Sequence, residues 1–365
     1  MVIEKIQIYK YSIPMHPFTI ATGTMNFAQN ILIKIFTSEN IIGIGECSAF
    51  PMIVGETQNT CYEMAKDFAK LWKGKDALNI EERLDELHLF TAGNSTIKSA
   101  FDMALYDIAA QHANQPLYEF LGGTKKEMLT DITVGIGSPE TMAAQAKSFE
   151  EKGATILKIK LGKDVATDVA RIKTIRESIG DNIKIRIDAN QGWSVADAKD
   201  ALVQLGQYNI EFCEQPMRTY NDEHLPELIK ISSIKIMADE SVYNHHDAFR
   251  LIKNNACHYI NIKFAKSGGI HEAIKIIAVA KENNIPCMMG GMLESRVALS
   301  AFAHFAAASP QITFYDMDTC MLGHKVDPVI CGVTYNGYTV QLPDGIGIGA
   351  TVKEDFLENC ETIII

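Results

Sequence analysis

The stretch from IKIRIDAN (183–190) through IEFCEQP to IKIMADES (234–241) repeats one pattern three times, an apolar run that ends in an acidic residue. The three acids are Asp188, Glu214 and Asp239, and they are 26 and 25 residues apart. This spacing fits one strand, one covering helix and two loops, so three successive parallel strands would direct their carboxylates toward one place. Strand-end acids that only cap helices are common singly, but three in series favour a shared site.

Three carboxylates without a nearby Cys or His indicate a site for a hard metal ion. Oxygen ligands suit a cation that accepts octahedral geometry and keeps open positions. The sequence therefore predicts Mg²⁺ held by Asp188, Glu214 and Asp239, with Mn²⁺ as the alternative.

From about residue 130 the chain alternates β-rich segments with amphipathic segments of helical length. This alternation is typical of consecutive βα units and a parallel sheet. Eight segments are predicted strands: DITVGI near 131, TILKIKL near 155, IKIRIDA near 183, NIEFCEQ near 209, IKIMADE near 234, HYINIKF near 258, IPCMMGG near 285 and ITFYDMD near 312. Eight such units favour a closed barrel over an open sheet.

The residues before this barrel predict a second, α+β domain. Its strands are expected in IEKIQIYKYSI, ILIKIF and IIGIGEC, and its helices around 57–73, 80–90 and 95–113. The polar connector GTKKEM marks a boundary. The predicted division is an α+β domain over 1–125, a barrel over 126–330, and a C-terminal segment over 331–365 that returns to the first domain.

Composition argues against several classes of function. The 365 residues are 47% hydrophobic, enough for a large core, and the net charge of −11 is spread without a long basic run. Neither a nucleic-acid groove nor an anionic membrane is indicated, so a small molecule is the expected partner. The N-terminus lacks the pattern of a signal peptide, which predicts a cytoplasmic location. Eight scattered cysteines without a CxxC pair predict no disulfide.

Lysines on two predicted strands are expected on opposite sides of the metal site. Lys158 and Lys160 in LKIKL alternate with isoleucine, so both point to one face, and Lys263 lies in INIKF. Strands two and six are four apart in an eight-stranded ring, so Lys160 and Lys263 should face each other across the barrel mouth. A solvated lysine face is the alternative for an edge strand, but a strand covered by helices does not offer one.

Two amines that flank one carbon suit a reaction that inverts configuration, because one removes a proton and the other returns one from the opposite side. The base must be neutral, and a nearby divalent cation and a second lysine both disfavour a protonated amine. Removing a proton next to a carboxylate creates an enediolate, whose charge Mg²⁺ and protonated Lys158 would stabilise. Lys160 and Lys263 are therefore the predicted catalytic acid/base pair.

These motifs, together with ADES, NIKFAKSGG and GGMLES, resemble the muconate-lactonizing-enzyme subgroup of the enolase superfamily. The resemblance covers nearly the whole length and includes GNSTIKSAFDMALYDIAAQ and PLYEFLGG before the barrel. It implies a (β/α)7β TIM-like barrel with an α+β capping domain formed from the N-terminal part and the C-terminal tail. It also implies the metal ligands and the lysine pair described above.

Asp316 and Asp318, at the end of the eighth strand, bear on the substrate. Nothing basic stands beside them in the sequence, and two uncompensated carboxylates favour a substrate ammonium. This DxD is similar to the motif with which dipeptide epimerases hold the free α-amino group, and a solvated turn is the alternative. The resemblance thus implies an isomerase that inverts the α-carbon of the second residue of a dipeptide.

The resemblance implies further residues around the substrate and the metal. The expected substrate contacts besides the DxD are Thr133, Lys158, Gly291, Met292 and Leu293. Asn190 and Glu240 are expected beside the metal ligands. Because Glu240 directly follows Asp239, it is also a candidate partner of Lys263, with an exposed surface acid as the equal alternative. Similar barrels form symmetric assemblies, so a homo-oligomer is expected.

Specificity for the second residue is expected from two loops of the capping domain, 16–26 and 50–56, which would close over the barrel. Similar enzymes that act on L-Ala-L-Glu carry an arginine in the first of these, whereas this chain has ATGT at 21–24. Lys98, Arg296 or a loop amide would then have to receive an acidic side chain. L-Ala-L-Glu is the leading substrate by resemblance, with hydrophobic dipeptides close behind.

Other functions share this scaffold. An N-acylamino-acid racemase has no use for the DxD, because its substrate lacks the ammonium. An o-succinylbenzoate synthase or cycloisomerase-type lyase would share only the proton-abstracting step. A catalytically silent, Mg²⁺-dependent binding protein is a distant alternative, since both lysines and all three acids are present.

Overall fold

The computed structural model describes residues 1–365 and contains an antiparallel sheet beside a parallel barrel. The antiparallel sheet begins with β1 (Ile3–Ile20), β2 (Gly23–Thr37) and β3 (Ile42–Ser48), which pair in chain order. Side chains alternate between the two faces of β1, and Ile6 and Ile8 enter a core that the sheet shares with helices.

Five helices follow these strands: α1 (Pro51–Val54), α2 (Gln58–Trp72), α3 (Ile80–Phe90), α4 (Ser95–His112) and α5 (Leu117–Phe120). Every residue of α4 from Thr96 to Ala110 is buried. The helix packs directly on the backbone of β3 because Gly45 has no side chain; a Cβ there would lie 1.9 Å from the carbonyl oxygen of Ala100. Glycine in this strand thus permits the close approach of helix and sheet.

Eight parallel strands form the barrel and neighbour one another in chain order, which confirms the predicted architecture. After the short β4 (Met128–Leu129) they are β5 (Ile132–Val134), β6 (Ile156–Lys160), β7 (Lys184–Asp188), β8 (Ile210–Glu214), β9 (Lys235–Ala238), β10 (Tyr259–Ile262), β11 (Cys287–Gly290) and β12 (Ile312–Asp316). Each barrel strand lies within its predicted segment, because short apolar runs bounded by turn residues are strong signals for buried strands.

Helices connect the successive barrel strands. They are α6 (Pro139–Glu151), α7 (Val165–Ile179), α8 (Val195–Leu205), α9 (Leu225–Ile231) after a 3₁₀ turn (Thr219–His224), α10 (His245–Lys253), α11 (Phe264–Ser267), α12 (Ile270–Glu282) and α13 (Arg296–Ala308). Side-chain oxygens cap the N-termini of many of these helices. Ser138 Oγ, for example, accepts the N–H of Thr141 at 3.2 Å at the start of α6.

The first and last barrel strands meet at a seam. The N–H of Asp131 donates to the carbonyl of Tyr315 at 3.2 Å. Nearer the mouth, the N–H of Thr133 donates to a side chain of the last strand's end, Asp318 Oδ2 at 2.7 Å, where a sheet would ordinarily use a backbone carbonyl. The DxD motif is therefore part of the barrel closure.

The remaining elements form a C-terminal tail that pairs with two different parts of the molecule. They are α14 (Thr319–Leu322), β13 (Val329–Cys331), β14 (Thr334–Asn336), β15 (Thr339–Gln341), β16 (Ala350–Val352), α15 (Glu354–Leu357) and β17 (Glu361–Ile364). β15 pairs with β4 beside the barrel, whereas β17 pairs with β1 in the antiparallel sheet. None of the helices has the length and apolar character that crossing a bilayer requires.

Candidate active site

Two lysines reach the barrel mouth from either side of the predicted metal site. Lys160 is the last residue of β6, and Lys263 directly follows β10. β7, β8 and β9 fill the sheet between those strands, so the lysines bracket the strand ends that carry the acids. Both side chains are buried and both line one cleft.

The three predicted metal ligands lie at neighbouring strand ends. Asp188 and Glu214 end their strands, Asp239 directly follows β9, and all three are fully buried. Lys158 Nζ lies 2.7 Å from Glu214 Oε2 and 3.2 Å from Asp188 Oδ2. Lys263 Nζ lies 3.0 Å from Asp239 Oδ2. Ammonium groups thus lie among the carboxylates.

Charges in this cluster act strongly on one another because water is excluded. Burial raises the pKa of Glu214 to about 7, and the charge of Asp188 adds to the effect. Burial acts in the same direction on Asp239, but Lys263 and Lys266 outweigh it and hold the pKa of that carboxyl below its usual range. Burial lowers the pKa of Lys263, yet the Asp239 carboxylate raises it overall. A neutral amine at Lys263 therefore requires the carboxylates to be compensated by another cation.

The residues of this cluster fit a divalent metal ion. Both carboxylate oxygens of Asp239 and Oε2 of Glu214 are fully buried and lie against the ammonium groups of Lys158, Lys263 and Lys266. These ion pairs lack hydrogen bonds of good geometry, which leaves the oxygens available to a metal ion. Oxygen donors from adjacent strands, without thiol or imidazole, suit Mg²⁺.

Asn190 and Glu240 lie beside this cluster. The N–H of Asn190 donates to Asp188 Oδ1 at 2.8 Å, and its own Oδ1 has no partner. Glu240 is buried with both oxygens unpartnered, and Lys263 pairs with Asp239 instead. The expectation that Glu240 pairs with Lys263 is therefore wrong, because the side chain of the preceding residue is the one within reach.

The DxD acids are not both free of cations. Lys158 Nζ lies 2.7 Å from Asp316 Oδ2, so the expectation of two uncompensated carboxylates is wrong for Asp316. The two residues are 158 positions apart and meet only because the barrel closes. Asp318 has no ion-pair partner; burial raises its pKa to about 7, and the charge of Asp316 adds to the effect.

A third carboxylate, which no motif indicated, lies beside the DxD. Asp131, Asp316 and Asp318 each place one oxygen within 4.8 Å of the others, and all are buried. Such a group can bind a metal, but Arg186 Nη1 lies 2.8 Å from Asp131 Oδ2 and Lys158 pairs with Asp316. A guanidinium cannot lose its charge, so the acids of β7 to β9 are the better metal site. Asp131 directly precedes β5, and its alternation with Thr133 was the signal available in the sequence.

A cleft of about 440 Å³, including its opening to solvent, lies at the mouth. On the barrel side it is lined by six of the predicted substrate contacts, whereas Lys158 does not line it: Thr133, Gly291, Met292, Leu293, Asp316 and Asp318. Its opposite side is apolar and belongs to the N-terminal region: Phe18, Ile20, Phe50 and Ile53. Thr319 and Leu322 of α14 also line it, and no sequence motif indicated them.

Hydrogen bonds hold the N-terminal region over the cleft. The carbonyl of Thr19 accepts the N–H of Ile136 at 2.9 Å, and Tyr243 donates its hydroxyl to the carbonyl of Ile53 at 2.8 Å. The segments 16–26 and 50–56 thus close over the barrel as expected, but they belong largely to the β1–β2 hairpin and α1 and are not loops.

Neither cation considered for an acidic substrate side chain lines the cleft. Lys98 Nζ donates to the carbonyl of Thr91 at 2.7 Å, and Arg296 Nη2 lies 2.7 Å from Asp327 Oδ2. The expectation that either receives a glutamate side chain is wrong, because local partners hold both away from the mouth.

A wider groove between β1 and the C-terminal segment lacks comparable chemistry. Lys10 Nζ lies 3.0 Å from Glu361 Oε2, and Lys353 Nζ donates to the carbonyl of Asp327 at 3.0 Å. Both of these lysines are therefore partnered within the chain.

The barrel, its strand-end acids and the lysine pair define the class of the protein. The chain matches the mandelate racemase / muconate lactonizing enzyme N-terminal domain over residues 3–122 and the enolase C-terminal domain-like model over residues 141–356. It belongs to the mandelate racemase and muconate lactonizing enzyme family of the enolase superfamily.

Within this family the chain is similar to proteins from three organisms. The D-Ala-D/L-Ala epimerase of Cytophaga hutchinsonii is 42% identical over 100% of both chains. The crystal structure of a dipeptide epimerase from that organism, complexed with Mg and D-Ala-L-Val, superimposes with a TM-score of 0.98 over 100% of both chains. The hydrophobic dipeptide epimerase of Enterococcus faecalis is 39% identical over 91% of this chain and 94% of its own. The substrate-liganded L-Ala-D/L-Glu epimerase of Bacillus subtilis is 35% identical, with a TM-score of 0.93 over 96% and 99%.

Proposed function

We propose that this protein is a Mg²⁺-dependent dipeptide epimerase, an isomerase that inverts the α-carbon of the second residue of a dipeptide. The observation that carries the proposal is one cleft lined by Lys160 and Lys263, whose strands flank the three that end in acids. The names of the relatives described above support it, because each of those proteins is an epimerase.

Asp188, Glu214 and Asp239 would hold the Mg²⁺. When bound, the ion supplies positive charge that stabilises the negative charge developing on the substrate carboxylate as the α-proton leaves. Carboxylates compensated in this way attract Lys263 less strongly, which favours the neutral amine that a base requires.

Lys160 and Lys263 move the proton. Nζ of one lysine, in its neutral form, accepts the α-proton, and the ammonium of the other donates a proton to the opposite face of the same carbon. One C–H bond breaks and one forms, so the reaction needs no co-substrate. Lys158 stays charged, because burial lowers its pKa but Asp316 and the nearby carboxylates raise it well above its ordinary value. Its charge assists the substrate carboxylate.

Asp316 and Asp318 would bind the substrate ammonium at the amino end. Both line the cleft, and Thr133 beside them fixes Asp318 through its N–H. Gly291, Met292 and Leu293 form the wall after β11. A dipeptide spans the distance from the metal site to the DxD, whereas an N-acylated amino acid brings no cation to these acids.

We propose that the second residue carries a small, uncharged side chain. The N-terminal side of the cleft is apolar, and Lys160 and Lys263 are the cations that line it. An acidic side chain would lose its hydration there without gaining a charge partner. Small apolar dipeptides are therefore favoured over L-Ala-L-Glu.

Incubation of a dipeptide library with Mg²⁺ in D₂O, read by mass spectrometry, tests the reaction. Deuterium at the α-carbon of the second residue, in both epimers, is expected for small apolar dipeptides. Exchange confined to N-acylated amino acids would indicate the racemase instead, and dipeptide binding without any exchange would indicate a silent binding protein.

Two sets of variants test the ends of the substrate. Asp316→Asn with Asp318→Asn should abolish dipeptide turnover, with the exposed Asp344→Asn as control; undiminished turnover would contradict the ammonium site.

Phe18→Arg should shift the selectivity for the second residue toward L-Ala-L-Glu, whereas the matched change Phe18→Met should not.

We propose the domain division at residues 125 and 330, a cytoplasmic location and a homo-oligomeric state, with no nucleic-acid or membrane partner. The net charge of −11 supports the last of these.

A further inference from the structure

Asp131 lies deeper in the barrel than the acids of the DxD. It stands two residues before Thr133 on the same face of the chain, about 7 Å nearer the closed end. Its side chain is fully buried and does not line the cleft. Asp131 therefore acts on a substrate only through other residues.

Asp131, Asp316 and Asp318 form a group of three carboxylates that contacts two cations. Arg186 lies 2.8 Å from Asp131 Oδ2, and Lys158 lies 2.7 Å from Asp316 Oδ2. Each cation is also shared with an acid outside the group, since Arg186 Nε lies 2.7 Å from a Glu211 oxygen and Lys158 contacts a predicted metal ligand. When all three acids are ionised, the group lacks at least one positive charge.

An unpartnered oxygen in this group supports the conclusion that a positive charge is missing. Asp131 Oδ1 accepts no hydrogen bond, although the residue is fully buried and its Oδ2 is paired. An unsatisfied carboxylate oxygen away from water is costly, so the group gains free energy from a further positive charge. The cleft offers one route by which such a charge can reach it.

We propose that Asp131 is a positioning residue for the amino end of the substrate, an inference that rests on the proposed function. Its charge occupies Arg186, so that the two acids of the DxD are left with Lys158 alone and require the substrate ammonium. If Asp131 is made neutral, the group of three carboxylates loses one negative charge, and the substrate ammonium is attracted less strongly.

The test compares two ligands that differ only in the ammonium. In Asp131→Asn, KM for a small apolar dipeptide should rise at least tenfold while kcat changes less than threefold. The inhibition constant of the desamino analogue, a propionyl amino acid, should change less than twofold. Asp131→Glu, which keeps the charge, should restore much of the dipeptide affinity.

Glu211→Gln is the matched control, because it removes the other carboxylate on Arg186 without altering the group. It should leave both constants within twofold of the wild type. An unchanged KM in Asp131→Asn, or equal losses for both ligands, would overturn the proposal, as would an equal effect of Glu211→Gln.

Folding and the proposed function are tested separately. If Asp131→Asn does not fold, Asp131→Ser, which leaves room for a water beside Arg186, carries the same expectation. Failure of both to fold would make Asp131 structural and overturn the proposal. If the wild type turns over no dipeptide, the proposed function fails, and calorimetric binding of the dipeptide and the desamino analogue with Mg²⁺ still decides the role of Asp131.

Discussion

Lys158 and Lys160 are separated by one isoleucine yet differ in their surroundings. Lys158 is fully buried and contacts three carboxylates, on β7, β8 and β12. Lys160 lies one inward position nearer the mouth, contacts Asp188 at 2.6 Å and lines the cleft. The deeper lysine is therefore a fixed charge, whereas the outer one is placed for proton transfer.

Removing either lysine of the pair should stop epimerisation but still allow α-proton exchange from one of the two epimers. We expect Lys160→Ala to lose α-proton exchange from one epimer and Lys263→Ala from the other, each with kcat lowered by about 10² to 10⁴. Exchange in D₂O from each pure epimer measures this. Lys184→Ala, at the opposite end of β7 and largely exposed, is the control; loss of the same epimer's exchange in both variants would contradict two-sided transfer.

His304 gives the protein a stability that depends on pH. Its Nδ1 accepts the N–H of Tyr118 at 3.3 Å, its Nε2 lies 3.2 Å from the carbonyl of Ile348, and burial lowers its pKa to about 4. The unfolded chain, with a histidine pKa near 6.5, binds the proton more readily. The stabilisation is therefore complete above about pH 6.5 and is lost as the pH falls toward 4.

Urea denaturation at pH 7 and pH 5 checks this expectation. The wild type should lose up to about 1.4 kcal/mol per pH unit more than His304→Gln over this interval. His16→Gln, at an exposed position, should behave like the wild type. Equal slopes for wild type and His304→Gln would show that the neutral ring does not carry the effect.

At the scale of elements, the β1–β2 hairpin and α1 form the apolar side of the cleft. β1 continues past its predicted end to Ile20 because β2 pairs with it as far as Gly23. The extension carries Phe18 and Ile20 to the barrel mouth. A strand pairing in one part of the molecule therefore completes the site in another.

Tyr243 ties the α1 segment to the barrel through its hydroxyl. Tyr243→Phe removes the hydrogen bond to Ile53 and should raise KM for dipeptides severalfold, with a smaller change in kcat, because the segment closes less often. Steady-state kinetics measures the changes in KM and kcat separately. Tyr220→Phe, at an exposed position, is the control; a fall in kcat alone would argue against a closing role.

Over the whole molecule, carboxylates of the N-terminal region cap helices of the barrel. Asp102 on α4 accepts the N–H groups of Ile270 and His271, at 2.6 and 3.1 Å, at the start of α12. Glu46 on β3 accepts the N–H of Ala298, at 2.9 Å, at the start of α13. A carboxylate at a helix N-terminus is stabilising, so these contacts join the two parts of the chain.

Gly45→Ala should destabilise the whole protein, because α4 packs between sheet and barrel. The added methyl would meet the backbone of α4, which cannot yield as a side chain can, and we expect a loss of about 1–3 kcal/mol or more. Chemical denaturation measures it. Gly137→Ala, where the nearest atom lies 3.6 Å away, should change stability little; equal effects would contradict the packing argument.

The sequence alone determined the barrel and the positions of its principal groups. Short β-rich segments alternating with segments of helical length located eight strands, and side-chain alternation placed Lys158 and Lys160 on one face. Such features are local, since each depends on residues within one strand or one βα unit. They could therefore be predicted without knowing what the strands contact.

Only the tertiary structure decided which charges meet. Lys158 beside Asp316, and Asp131 beneath Asp318, depend on the seam where the first and last strands close the barrel. The apolar side of the cleft likewise comes from Phe18 and other residues far from the barrel in the chain. Electrostatic and packing energies depend on distance in space, and no pattern within a strand reports the distance between segments more than a hundred residues apart.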